Sequence, residues 1–267
     1  MTTVAPTNRR STLPFFRMTL AIMYLALLPA VLATWGVLPG LPDQYMVLAP
    51  LAILSPTLAA CWLSRLKAGG PGVRALLGRL GQWRVGIGWY LLALLGFAGI
   101  HLASKAIYEF CGGLHAGNWL YFPANAQRIT AMVVIPLAEE IGWRGFALPK
   151  LLQSYKPLPA SLWLGAGWAV WHVPMFILQG FSPDIMVVSF AMLLFGSLIF
   201  TWLFLRTRGS LVVAVVAHLG VHLDNPSSVA PGNNTPLVVY TCAMVAVGLL
   251  TLLDRKIWRS SEGLSEG

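Results

Sequence analysis

Apolar runs long enough to cross a bilayer follow one another along almost the whole chain. A membrane-spanning helix needs about 20 mostly apolar residues. Eight segments approach that requirement: roughly 16–38, 45–64, 86–107, 129–150, 160–179, 184–205, 210–223 and 236–254. The seventh is short and carries two histidines, and the fourth and fifth contain polar residues. The expected fold class is therefore an all-α polytopic membrane protein with about eight transmembrane helices.

Composition agrees. Hydrophobic residues make up 57% of the chain and charged residues only 10%, against roughly 25% charged in soluble domains. Mean hydropathy is +0.71. A soluble fold could not cover its surface with so few charges, whereas lipid tails solvate apolar side chains. The net charge of +9 raises the question of nucleic acid. The basic residues instead sit between apolar runs, where anionic lipid headgroups are the fitting partner. Three cysteines, Cys61, Cys111 and Cys242, match no disulfide or zinc framework.

Charge asymmetry orients the spans, because cytoplasmic segments carry the excess of Lys and Arg. With the N-terminus inside, eight crossings place Arg65, Lys67, Arg74, Arg79, Arg84, Lys150, Lys156, Arg206, Arg208, Arg255, Lys256 and Arg259 inside. Only Lys105 and Arg128 fall near outer ends. Both termini are expected in the cytoplasm, and the first run reads as a retained signal anchor. Gly69, Gly70 and Pro71 mark a break. The basic segment 65–84 that surrounds it reads either as an interfacial amphipathic helix or as a plain loop. The stretch 225–236 reads as an outer loop and the tail after Arg259 as disordered. With no repeat or soluble insert, residues 1–267 read as a single integral membrane domain.

Ionisable groups inside a bilayer are costly and default to functional candidates. Three clusters stand out. Glu139 and Glu140 are adjacent in the fourth run, and Arg144 lies one helical turn after Glu140, on the same face. Glu139 points about 100° away from Glu140 on a helix. One carboxylate can then be held by the arginine while the other works as a proton acceptor. The competing reading is an ion pair that locks two helices. Trp168 and His172 share a face in the fifth run. His218 and His222 do so in the seventh, at a spacing that also suits a metal. By helical rise, Glu139, His172 and His218 lie roughly 16, 18 and 12 Å from the cytoplasmic ends of their runs. The similar depths predict one shared polar site.

The order Glu-Glu-x-x-x-Arg, aromatic-x-x-x-His and His-x-x-x-His, each in its own run, resembles the CAAX-processing and bacteriocin-processing intramembrane protease family. The resemblance covers roughly residues 129–223, which would be the catalytic helices. It implies an endopeptidase in which glutamate and histidines activate water. Glu139, Glu140, His172 and His218 would be catalytic, with Arg144, His222 and Trp168 in support. Trp168 stands where the family more often has phenylalanine. His222 stands where the family usually has asparagine, a proposed oxyanion donor; histidine also donates hydrogen bonds. Asn225 lies on nearly the same face as His218 and offers a second donor. On this reading Glu140, with Glu139 in support, acts with His172 to deprotonate water, Arg144 orients a glutamate, and His218 serves the oxyanion or leaving amine. A divalent metal such as zinc, with His172, His218 and Glu140 as ligands, is the competing source of activated water. The partners implied are a peptide or lipidated protein substrate and membrane lipids, with no nucleic acid. The expected location is a bacterial plasma membrane rather than endoplasmic reticulum. The alternatives are a catalytically silent immunity or scaffold protein on the same fold and a proton-coupled transporter.

Overall fold

The structure, a computed structural model, describes residues 12–115, 117–121, 125–224 and 232–259. Arg9, Arg10, Asn225, most of the expected outer loop and the tail beyond Arg259 lie outside the described residues. Among those described there is no strand; a lone bridge joins Leu120 to Asp224. The helices are α1 (Leu13–Thr34), α2 (Ala49–Gly78), α3 (Ile87–Phe110), α4 (Ala126–Gly142), α5 (Leu148–Leu152), α6 (Pro157–Leu178), α7 (Pro183–Arg206), α8 (Leu211–Val221), α9 (Thr235–Thr251) and α10 (Arg255–Arg259). All eight apolar segments are thus helical.

Among the described residues five helical stretches are long and apolar enough to cross a membrane: α1, Pro42–Gly81, α3, α6 and α7. The short apolar helices α8 and α9 fall below that length. So does α4 taken alone, but a π-helical turn, Trp143–Ala147, carries it into α5. The protein is an integral membrane protein. Its exposed large side chains, such as Leu25, Leu95 and Leu253, suit lipid rather than water.

The break read at Gly69 is present. Ala68 (φ −142°) and Gly69 (φ +61°, ψ −151°) leave helical geometry inside α2, and Gly69 occupies a region that favours glycine. Beyond it the basic segment is helical to Gly78, with Leu76 buried and Leu77 and Trp83 exposed.

Small residues and aromatic edges hold the bundle together, as lipid supplies no hydrophobic drive between helices. Around α4 the packing is tight. A Cβ on Gly142 would lie 2.4 Å from the backbone carbon of Pro56, so α2 and α4 meet backbone to backbone there. Thr57 Oγ1 donates to the carbonyl of Ala138 at 2.6 Å. Trp171 Nε1 donates to Ser55 Oγ at 2.9 Å and ties α6 to α2. The first helix belongs to this core: Phe15 packs edge-on against Trp143, 5.3 Å between centroids. On the other side α8 approaches α3, where a Gly220 Cβ would meet the Leu94 carbonyl at 2.7 Å. At the far end Asp254 accepts from Trp202 Nε1 at 2.8 Å and pairs with Arg206.

Candidate active site

Glu139 and Glu140 sit in the last turn of α4, immediately before the π-helical turn that carries Arg144. Wide turns of this kind recur at functional sites because they re-aim side chains. Glu139 is 4% exposed, and Glu140 and Arg144 are fully buried. The two carboxylates diverge, as their helical offset requires. Glu140 Oε1 accepts from Arg144 Nη1 at 3.0 Å and from His218 Nδ1 at 2.9 Å. Glu139 Oε2 accepts from Trp168 Nε1 at 2.9 Å. One glutamate is therefore held between an arginine and a histidine, and the other by an uncharged indole.

The histidines arrive from two further helices. His172 Nδ1 lies 2.8 Å from the carbonyl of Trp168. A carbonyl only accepts, so Nδ1 carries the proton and Nε2 of the neutral ring presents its lone pair. His172 is within Coulombic range of Glu139 and of His218. His218 is 4% exposed. With Nδ1–H donated to Glu140, its Nε2 remains for other chemistry. His222 is the C-cap of α8. Its ring stacks parallel on His218, 5.2 Å away and 5° from coplanar.

The sequence-predicted residues Glu139, Glu140, Arg144, Trp168, His172, His218 and His222 thus converge. Trp168 links them: its ring meets His172 and His218 edge-on at 5.5 and 5.8 Å. The Arg144 guanidinium stacks over it at 4.6 Å and over Phe200 at 4.5 Å.

The zinc reading can be tested on this donor set. Among the described residues no three His, Cys, Asp or Glu side chains are arranged to hold a metal ion. Glu140 Oε1 already accepts from Arg144 and His218. The arrangement does not fit a zinc site.

Several contributors escaped sequence reasoning. Gly142 was legible as a glycine inside the Glu-Glu-x-x-x-Arg motif, but its contact with Pro56 was not. Thr57, Ser55 and the π-helical turn left no signal. Beyond His222 lies a second polar group. Lys105 pairs with Asp224 at 2.9 Å, and Lys105 Nζ donates to the Trp119 carbonyl at 2.6 Å. His101 bonds the Val221 carbonyl at 3.0 Å and stacks on Tyr240. These contacts fasten the end of α8 to α3.

Residues 121–224 match the family model for type II CAAX prenyl endopeptidases, Rce1-like. A Methanococcus maripaludis protein named CAAX prenyl protease 2 is 26% identical over 166 residues, covering 58% of this chain and 58% of its own length. A Synechococcus elongatus protein named cytochrome c biogenesis protein CcsA is 28% identical over 172 residues, covering 61% of this chain and 48% of its own. A second Synechococcus strain carries a protein of that name with the same figures. The matched segment thus spans about half the length of these curated relatives, 58% of the first and 48% of the other two.

Proposed function

With residues 121–224 forming a region of the Rce1-like CAAX prenyl endopeptidase family, we propose that this protein is an intramembrane endopeptidase that hydrolyses a peptide bond with a glutamate- and histidine-activated water. The observation that carries the reading is the division of labour between two adjacent buried glutamates. Glu140 is bonded to Arg144 and His218, whereas Glu139, among the described residues, accepts from the Trp168 indole, whose ring meets His172 edge-on. The sequence assigned the base to Glu140. The bonding of Glu140 supports exchanging the roles, because its Oε1 already accepts from Arg144 and His218 while Glu139 accepts from a single indole N–H through Oε2.

In the mechanism, Glu139 accepts a proton from water while His172 Nε2 orients it. The oxygen attacks the scissile carbonyl carbon, and its π electrons move to oxygen. His218, held by Glu140, and His222 beside it are the donors to the oxyanion. Collapse of the tetrahedral species breaks the C–N bond, and the proton on Glu139 passes to the leaving amine. Arg144 neutralises Glu140. No step runs through a metal.

The name of the Methanococcus relative makes a prenylated C-terminal peptide the first substrate class to try; unprenylated leader peptides come next. We also place both termini and the basic segment 65–84 on the cytoplasmic side of a bacterial plasma membrane, with eight crossings and anionic lipids as partners. The charge bias along the sequence supports this topology. Purified protein in liposomes, given prenylated and unprenylated peptides with and without a chelator, tests the function. The expected result is cleavage that survives chelation. Chelator-sensitive cleavage would overturn the direct mechanism, and no cleavage of either class would overturn the endopeptidase reading.

A further inference from the structure

Trp168 touches Glu139, His172, Arg144 and His218. Its Nε1–H donates to Glu139 Oε2 at 2.9 Å, and its carbonyl accepts from His172 Nδ1 at 2.8 Å. Its face carries the Arg144 guanidinium at 4.6 Å, and its ring meets His218 edge-on at 5.8 Å. The side chain is 4% exposed and packs edge-on against Phe200. A phenyl ring would fill most of this space. What only an indole adds here is a buried N–H, and a buried donor must be bonded or it is costly. In this site the acceptor it reaches is Glu139.

We infer that Trp168 is a positioning residue that acts through Glu139: its N–H holds Oε2 and leaves Oε1 as the oxygen that takes the proton from water. The inference rests on the endopeptidase reading with Glu139 as base. The Arg144 cation on the indole face belongs to the same device. A guanidinium there stabilises the ring orientation and makes the N–H a better donor to Glu139. A hydrogen bond to a carboxylate is shorter and stronger than one between neutral groups, so the indole N–H fixes which oxygen stays open.

Trp168→Phe keeps a ring and removes the donor. The expected result is a fall in kcat of about tenfold to a hundredfold with KM changed less than about twofold. The acidic limb of the kcat–pH profile should also move to higher pH. Loss of packing alone would not move that limb. Thermal melting of the variant checks its fold. As a measurement independent of turnover, the indole N–H resonance of Trp168 in 15N-tryptophan-labelled protein, identified by its absence in Trp168→Phe, should shift in Glu139→Gln. An unmoved resonance overturns the inference. So does a Trp168→Phe variant with wild-type kcat and acidic limb in an enzyme that Glu139→Gln inactivates; that outcome leaves the endopeptidase reading standing. Wild-type protein that cleaves nothing, or cleavage that survives Glu139→Gln, fails the parent reading, and the inference falls with it.

Discussion

Two neighbouring glutamates, equally acidic in the sequence, have opposite surroundings in the fold. Glu140 and Arg144 are a fully buried ion pair. Removing one member of such a pair leaves an uncompensated charge, at a cost of about 3–5 kcal/mol. Glu140→Gln should therefore lower stability by about that amount in denaturant titration of the detergent-solubilised protein. Glu139→Gln keeps an acceptor for the Trp168 N–H and should lose no more than about 1 kcal/mol. Equal losses would show that the two side chains are not differently held. At the rim, His222 stacks on His218 and is assigned a donor's part. His222→Asn, which keeps a donor, should retain cleavage within about tenfold, while His222→Ala should lose about a hundredfold or more. A silent His222→Ala would remove His222 from the mechanism. The type and grouping of these residues were legible: two carboxylates, an arginine one turn on and histidines in later runs already predicted a shared site. Which glutamate does what was not, because it depends on side-chain partners from α6 and α8.

At the scale of elements, α4 sets the site, and α4 is positioned by contacts its own sequence does not announce. Its backbone meets that of α2 at Gly142 and Pro56, and Thr57 bonds the carbonyl of Ala138 one residue before Glu139. Gly142→Ala would force a Cβ into Pro56. Overpacking of this kind costs about 1–3 kcal/mol. Displacement of the neighbouring glutamates by about 1 Å would cost about a hundredfold in rate. Cleavage and melting measured together on Gly142→Ala check this; a variant with wild-type values for both would contradict the packing account. The helices themselves were readable because each apolar run is long, and the glycine break near residue 69 was readable because Gly69 permits a positive φ. The π-helical turn was not. Its residues, Trp143–Ala147, continue a helical pattern, and the wider turn shows only in the backbone hydrogen bonds.

At the scale of the whole molecule, the apolar content and the bias of Lys and Arg gave the all-helical membrane class, and the family match falls on the region that holds the clustered side chains. Among the described residues, length and apolar composition mark five stretches able to cross a membrane. The short α8 ends at the site and is tied to α3 there. The proposed topology predicts that a single cysteine at Lys67 or Arg255 reacts with an impermeant reagent only from the cytoplasmic side, and one at Phe110 only from the other. Labelling of Lys67 and Phe110 positions from one side would refute it. The central claim is that Glu139 activates water while Glu140 holds His218. Its most direct test is the cleavage rate of Glu139→Gln against wild type at saturating peptide, in protein shown to be folded. A loss of about a hundredfold to ten-thousandfold with KM little changed is predicted; wild-type turnover by Glu139→Gln would contradict the claim.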